Sequence, residues 1–372
     1  MALSRNSVDV FVVGGGPAGL AAAIAARQKG FSVTVADGGT PPIDKACGEG
    51  LLPDTLEALR ALGVKLECSE GSRFQGIRFL QNGGSAAAAF PQGPGLGLRR
   101  PILHERLIAR AQECGVDLLW KAPVSAIESG GIVTGSTRIS ARWIIGADGL
   151  GSRVRKWSDL DATRLNVQRY ATRRHYHIKT WTDFMEIHWG PRAQAYVSQI
   201  GPDEVCVVMI GRRGEDAAFE RALDTLPELK ERLRGAVPGS RERGAVTFSR
   251  SLERVVRGNV ALIGDASGSV DAITGEGLRL GFQQAFALAD ALAADNFELY
   301  QQAHRVMEHR PMMMGRLMLL LAGRPALRKR VVSSFAKKPQ LFADFLAFHI
   351  GRATPGKLVA SGAELGWQLL TV

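Results

Sequence analysis

Residues 8–30 read VDVFVVGGGPAGLAAAIAARQKG, and the order of residue types in that stretch decides the fold. Val8–Val13 is an apolar run with the length of a buried strand. It stops at Gly14-Gly15-Gly16, and the alanine-rich segment from Pro17 to Lys29 then has a helical composition, with proline at its first position. A second apolar run, Phe31–Ala36, follows, so the order is strand, glycine turn, helix, strand: a βαβ unit. Gly14-x-Gly16-x-x-Gly19 has the spacing that permits a tight turn, close approach of backbone to a pyrophosphate, and close helix–strand packing. The unpaired N–H groups at the start of the helix, around Ala18, are donors for the phosphates. Asp37 closes the second strand at the distance where a carboxylate accepts hydrogen bonds from a ribose diol. These residues predict a dinucleotide site without choosing between FAD and NAD.

Moving outward, Thr55–Leu62 reads as a helix and Phe74–Phe90 as a hairpin turning at Asn82-Gly83-Gly84. His104–Cys114 is an amphipathic helix and Val116–Trp120 a strand. Val124–Glu128 and Gly131–Val133 form a small antiparallel excursion, and Trp143–Ile145 is a buried strand ending at Gly146-Ala147-Asp148-Gly149. From Tyr170 to Gly211 the apolar pattern has period two, which predicts an antiparallel sheet. Asp216–Leu233 reads as helical, Val260–Ile263 as a last buried strand, and a long helix starts near Glu276. The chain from Tyr300 onward is mostly helical in pattern.

Later motifs choose the nucleotide. IIGADGLGSRVRKW at 144–157 resembles the DG motif of FAD-dependent aromatic hydroxylases, and VALIGDASGSVDAITGEGLRLGFQQA at 260–285 resembles their GD motif. With KACGEGL at 45–51, the chain resembles the para-hydroxybenzoate hydroxylase and geranylgeranyl reductase superfamily, and its geranylgeranyl reductase-like branch most. The resemblance spans roughly residues 8 to 290. It implies an α/β fold with a Rossmann-like FAD-binding domain of parallel sheet and helices, in the pieces 1–70, 98–160 and 250–300. An antiparallel-sheet substrate domain (71–97 and 161–249) is inserted, and C-terminal helices occupy 301–372.

The same resemblance proposes roles for residues. Asp265 at a strand end can accept from a ribityl hydroxyl, or serve only as a helix cap. Gly275, Gly277 and Leu278 open a helix whose backbone approaches a flat ring and whose positive end favours reduced flavin. Asp148 either organises contacts near the pyrophosphate or fixes the local turn at Ser152 and Arg153. Arg100, in LRRPILHERLIARA, is either a pyrophosphate ligand, a task that suits the guanidinium fork, or a surface cation beside Arg99. Val124 stands where related proteins contact adenine through the backbone. Cys47 and Gly48 fall on the segment that runs along the isoalloxazine in related reductases. Cys47 is redox-active or simply small and buried, and Glu49 relays protons or pairs with a cation. Tyr196 positions substrate or belongs to the sheet core, as do His175, His177, Trp181, His188 and Trp189. Cys47, Glu49 and Tyr196 are thus the catalytic candidates.

Composition limits what else the protein does. The chain has 372 residues, 45% hydrophobic and 22% charged, an ordinary globular balance. Its +11 net charge is spread along the sequence without a nucleic-acid-binding motif, so no nucleic-acid partner is expected. Cys47, Cys68, Cys114 and Cys206 have neither CxxC spacing nor a paired histidine, which argues against a metal site and a disulfide framework. The N-terminus lacks a signal-peptide pattern and Met312–Ala322 is too short to span a bilayer, so a cytoplasmic location is expected. The basic, apolar C-terminal helices are either a lid on the substrate domain or a peripheral membrane contact.

The expected activity is that of an FAD-dependent oxidoreductase on an apolar, aromatic or lipid-like small molecule. The chemistry is hydroxylation through a flavin hydroperoxide or hydride transfer to a carbon–carbon double bond. Gly268 and Ala272 replace the His and Pro of many aromatic hydroxylases, and no Trp-x-Trp-x-Ile-Pro element signals halogenation. No second dinucleotide fingerprint is present, so electrons are expected from NAD(P)H binding transiently or from a reductase partner. An NAD-dependent dehydrogenase and a non-catalytic lipid carrier are the rival readings.

Overall fold

The computed structural model describes residues 7–371, apart from 82, 129–130, 162, 166–167, 213, 215 and 217. Asn82, expected at a hairpin turn, therefore lies outside the described residues. The first sheet places five parallel strands in the order Val260–Leu262, Thr137–Gly146, Ser7–Val13, Val33–Asp37 and Asp117–Trp120. Ser7–Val13 lies in the middle, and its Phe11 and Val12 are fully buried, which is why the run is continuously apolar. The alanines of the helix Pro17–Gln28 from Ala21 onward are buried, and this helix contacts the helices Arg100–Glu113 and Gly277–Ala293 as well as the sheet. Small side chains are what allow such close approach. A Cβ on Gly19 would fall 1.9 Å from the Gly14 carbonyl oxygen.

The second sheet runs Arg169–His177, Glu204–Gly211, Ala193–Gly201, Phe184–Trp189, Gly76–Gln81, Gly84–Ala89. It differs from a purely antiparallel sheet at one place: Phe184–Trp189 pairs with Gly76–Gln81 in parallel. The reason is topological, because 76–89 is a hairpin that enters the sheet from an earlier excursion of the chain. One sheet face carries the short helices Phe219–Asp224 and Pro227–Arg232, where a single helix over Asp216–Leu233 was expected. Pro227 lacks an N–H and starts the second helix instead of continuing the first.

The other face is covered by the C-terminal helices Pro325–Lys337 and Pro339–His349, joined by Pro355–Thr371. Pro325, Pro339 and Pro355 each open a helix, so the proline pattern punctuates the lid. Phe335 and Phe342 stack with centroids 4.8 Å apart, and Phe342 also meets Phe79 of the sheet at 4.6 Å. Burying each ring contributes roughly 2–3 kcal/mol. Among the described residues, no helix is long and apolar enough to cross a membrane.

Candidate cofactor and substrate site

Asp37 ends its strand with both carboxylate oxygens fixed: Oδ2 accepts from Gly15 N–H at 2.7 Å and Oδ1 from Gly39 N–H at 2.7 Å. Gly14 has φ +113°, and a Cβ there would lie 2.4 Å from the Ala147 carbonyl oxygen, so the first glycine turn packs directly on the DG turn. On the other side a Cβ on Gly264 would lie 2.8 Å from the Ala18 methyl, so the GD turn packs on the same helix start. Three segments far apart in sequence are locked together by the absence of side chains. Gly16, Gly48, Gly275 and Gly277 behave differently, since nothing lies within 4 Å of a Cβ built on any of them. Their backbone borders open space, which is what a large planar ligand needs.

A cleft of about 290 Å³ collects Gly14, Gly16, Asp37, Lys45, Val124 and Asp148. Within it Asp148 turns out to be the local turn residue. Its Oδ1 accepts from the Ser152 hydroxyl at 2.6 Å, and its Oδ2 from the N–H groups of Arg153 and Val154 at 2.6 and 3.1 Å. Val124 is buried and its carbonyl accepts from Arg153 at 3.4 Å. Leu278 packs against the core of the parallel sheet.

His104, read from sequence only as part of a helix, organises this cleft. Its Nε2 lies 2.7 Å from the Gly15 carbonyl and its Nδ1 accepts from Ile43 N–H at 3.1 Å, which fits a neutral ring protonated on Nε2. Burial lowers its pKa below the usual histidine value and keeps it neutral. Arg100 donates its backbone N–H to Glu49 Oε1 at 2.9 Å, while its buried Nε has no hydrogen-bond partner. Asp265 keeps solvent-accessible surface although protein surrounds its carboxyl. Loss of water raises its carboxyl, and the nearby charges of Arg100 and Lys45 draw it back down. Lys45 lines the cleft with Asp37, and Asp265 lies near enough to Lys45 and Arg100 to feel both charges.

Glu49 holds the Cys47–Gly50 segment in place. It has the left-handed φ of +58°, a conformation that persists only where surroundings enforce it. Its buried carboxylate meets Arg173 at 3.1 Å and His175 Nε2 at 2.8 Å, so it does pair with a cation. Arg173, itself fully buried, also binds Asp44 at 2.8 and 3.0 Å, and His175 Nδ1 lies 2.6 Å from the Ser240 hydroxyl. Period-two alternation places Arg173 on the same strand face as His175, the signal that could have found Arg173. Cys206 approaches the Cys47 carbonyl at 3.6 Å, and Cys47 Sγ accepts from Glu49 N–H at 3.4 Å. Burial pushes the Cys206 thiol well above its ordinary pKa. Glu49, His175 and Cys206 bring donor atoms within 4.8 Å of one another, but Arg173 already neutralises Glu49 and the thiol stays protonated.

A second hollow, about 360 Å³, lies between the sheet and the C-terminal helices. Ile77, Phe79 and Met185 face Leu321, Phe335 and Phe342 across it, and Gly50, Thr274 and Gly275 close one end. Tyr196 lines it, and its hydroxyl donates to the Ile273 carbonyl at 2.8 Å. That bond ties the sheet to the GD segment, and burial raises the phenol's pKa. Gly50, next to the Cys47–Glu49 segment, and Gly275, in the GD segment, both line this hollow.

The FAD binding domain family matches residues 7–298. The chain belongs to that family. It is 27% identical over 314 residues to a menaquinone reductase of Mycobacterium tuberculosis, covering 77% of each chain. It is 30% identical over 298 residues to digeranylgeranylglycerophospholipid reductase 1 of Methanopyrus kandleri, covering 73% of this chain and 76% of that one. Among solved structures, a geranylgeranyl bacteriochlorophyll reductase-like protein of Thermoplasma acidophilum superposes with TM-score 0.75 at 19% identity, covering 96% of both chains. A flavin-dependent brominase superposes with TM-score 0.81 at 18% identity, covering 97% of this chain and all of that one, a likeness of fold alone. The chain is an FAD-dependent oxidoreductase of the geranylgeranyl reductase and para-hydroxybenzoate hydroxylase superfamily. The family match stops before the helices from Pro325 onward that close the apolar cavity.

Proposed function

We propose that this protein reduces a carbon–carbon double bond in a long, isoprenoid-type lipid, with FAD supplying the hydride. The observation that carries this reading is the apolar cavity of about 360 Å³ whose lining includes Gly50 and Gly275 from the two motif segments expected to approach the flavin ring. The named relatives act in the same chemical territory, as reductases of menaquinone and of a digeranylgeranyl phospholipid.

Each wall has a task in this account. Arg100 and the amides around Ala18 hold the pyrophosphate, and Asp37 receives the ribose. The start of the helix Gly277–Ala293 points its positive end at the ring and favours the reduced, negatively charged flavin. Met185, Phe335 and Phe342 exclude water from the reacting carbon. Electrons come from NAD(P)H docking transiently in the cleft or from a reductase partner. The helix Pro355–Thr371 lends Gly362 and Leu365 to the cavity and exposes Val359 by 70% and Trp367 by 71%. With the +11 charge of the chain, this face suits peripheral contact with an anionic bilayer from which the lipid enters.

The test is product analysis. The holoenzyme, identified by its flavin absorption, is given a reductant and either a menaquinone or a digeranylgeranyl phospholipid, with and without oxygen. A lipid product with two added hydrogens in the oxygen-free arm supports the reading. A product carrying a new oxygen atom, formed only in air, makes the enzyme a hydroxylase instead.

A further inference from the structure

Among the described residues, three side chains with polar N or O atoms line the apolar cavity: Tyr196, Thr274 and His349. Two are engaged elsewhere, the Tyr196 hydroxyl with the Ile273 carbonyl at 2.8 Å and the Thr274 hydroxyl with the Asp271 carbonyl at 3.2 Å. His349 is not. It is 8% exposed, its ring borders the cavity, and its buried Nδ1 makes no hydrogen bond. It sits at the end of the helix Pro339–His349, beyond the residues matched by the family.

Behind His349 is a buried charge cluster. Glu276, between the two glycines that open the ring-facing helix, is 1% exposed and holds Oε2 at 3.5 Å from His349 Nδ1. Its other oxygen faces Arg279 at 2.5 Å and Arg310 at 3.9 Å, and Arg279 in turn lies 3.4 Å from Asp54. Glu276 Oε2, Asp54 Oδ2 and the Nε atoms of Arg279 and Arg310 are all buried without hydrogen-bond partners. A cluster left unsatisfied on the side facing a cavity is costly unless something completes it. The neighbourhood of the ring holds the carboxylates of Glu276 and Asp54 and the guanidinium groups of Arg279 and Arg310, so charges of both signs meet there.

We propose that His349 delivers the proton that completes double-bond saturation, with Glu276 as its positioning residue. This rests on the reading of function above. In the reaction one alkene carbon receives a hydride from reduced flavin, and the other forms its new C–H bond with the imidazolium proton. The lipid gains two hydrogens and two electrons, the flavin loses two electrons, and His349 regains its proton from solvent. An isolated alkene accepts hydride poorly until it is protonated, so the acid controls the rate.

The experiment is anaerobic turnover of the reduced holoenzyme with a menaquinone, comparing wild type, His349→Gln and His349→Phe. His349→Gln keeps shape and hydrogen bonding but cannot donate the proton. The expected result is a loss of kcat of about 100-fold or more, with KM, bound flavin and flavin reduction unchanged. Glu276→Gln should shift the pH dependence of kcat more than its maximum. An NMR titration of the imidazole in the wild-type holoenzyme gives a readout apart from turnover, because the saturated lipid should move the His349 signal. A wild-type enzyme that turns over while His349→Gln stays within a few-fold overturns the inference and leaves the function standing. A His349 signal unmoved by lipid also overturns it. A wild type that saturates no lipid ends both together.

Discussion

The cleft beside Gly14 is built on glycine turns and polar side chains, whereas the cavity beside Phe342 is walled by apolar side chains. In the first, glycines let distant turns interlock: Gly14 against Ala147 and Gly264 against Ala18. In the second, residues from strands near 77 and 185 meet helices near 321, 335 and 342. Backbone geometry tolerates almost no substitution and serves one cofactor. A side-chain wall changes by single residues, so under the proposed function it is where substrate choice would reside.

Substitutions test that contrast, starting with the largest effect. Gly19→Val would drive a Cβ into the Gly14 carbonyl, 1.9 Å away, where neither backbone can give. It should cost more than about 3 kcal/mol and abolish flavin retention, seen as loss of the yellow absorption and a lower melting temperature. Phe342→Ala removes a ring that is 3% exposed and should cost about 3 kcal/mol or more, yet keep bound flavin. A variant that lost flavin first would show that the two hollows are not separable.

Behind the GD turn, Glu308 and His304 offer a pH test of the cleft's backing. Burial raises Glu308 from 4.5 to about 8 and lowers His304 from 6.5 to about 4. Both are then uncharged at neutral pH, so their 3.7 Å approach is not an ion pair. The unfolded chain releases the Glu308 proton at lower pH than the folded one. Stability from this group is therefore full below about 4.5 and is lost as pH rises to about 8, at up to about 1.4 kcal/mol per unit. For His304 the unfolded state binds the extra proton, so stability falls as pH drops from 6.5 to about 4. Glu308→Gln should melt higher relative to wild type as pH approaches 8, and the gap should close near pH 5. An unchanged gap across that range would contradict the buried, protonated carboxyl.

The smallest expected effect is at Arg100. Arg100→Ala should weaken FAD by about tenfold, or roughly 1.4 kcal/mol, measured by reconstitution of the apoprotein, without altering the cavity. An equal loss of lipid affinity would show that Arg100 serves both hollows.

The sequence made the cleft readable because glycine spacing is local, and each glycine has one physical reason to be there. Asp37 and Gly16 line the cleft, while Gly275 lines the apolar cavity. Asp148 had two readings, and only the three hydrogen bonds it accepts decide for the turn. His104 escaped notice because a single histidine in an amphipathic helix looks ordinary until Gly15 is seen beside it. Glu49 and the strand pair Arg173 and His175 come from segments far apart in the chain, and no spacing rule joins the glutamate to that pair. His349 was invisible for the same reason, since its partner Glu276 belongs to a different helix. The helix expected over Asp216–Leu233 failed at Pro227, where a punctuating residue outweighed the helical composition.

The central claim is that one flavin cleft opens onto one lipid cavity at Gly50 and Gly275, and a crystal structure of the holoenzyme with a bound polyprenyl lipid tests it most directly. The account predicts adenosine beside Asp37 and Val124, the flavin ring against Gly48 and Gly275, and the lipid chain between Phe79 and Phe342. A flavin ring lying away from Gly275, or a lipid bound outside the hollow beneath the C-terminal helices, would contradict it.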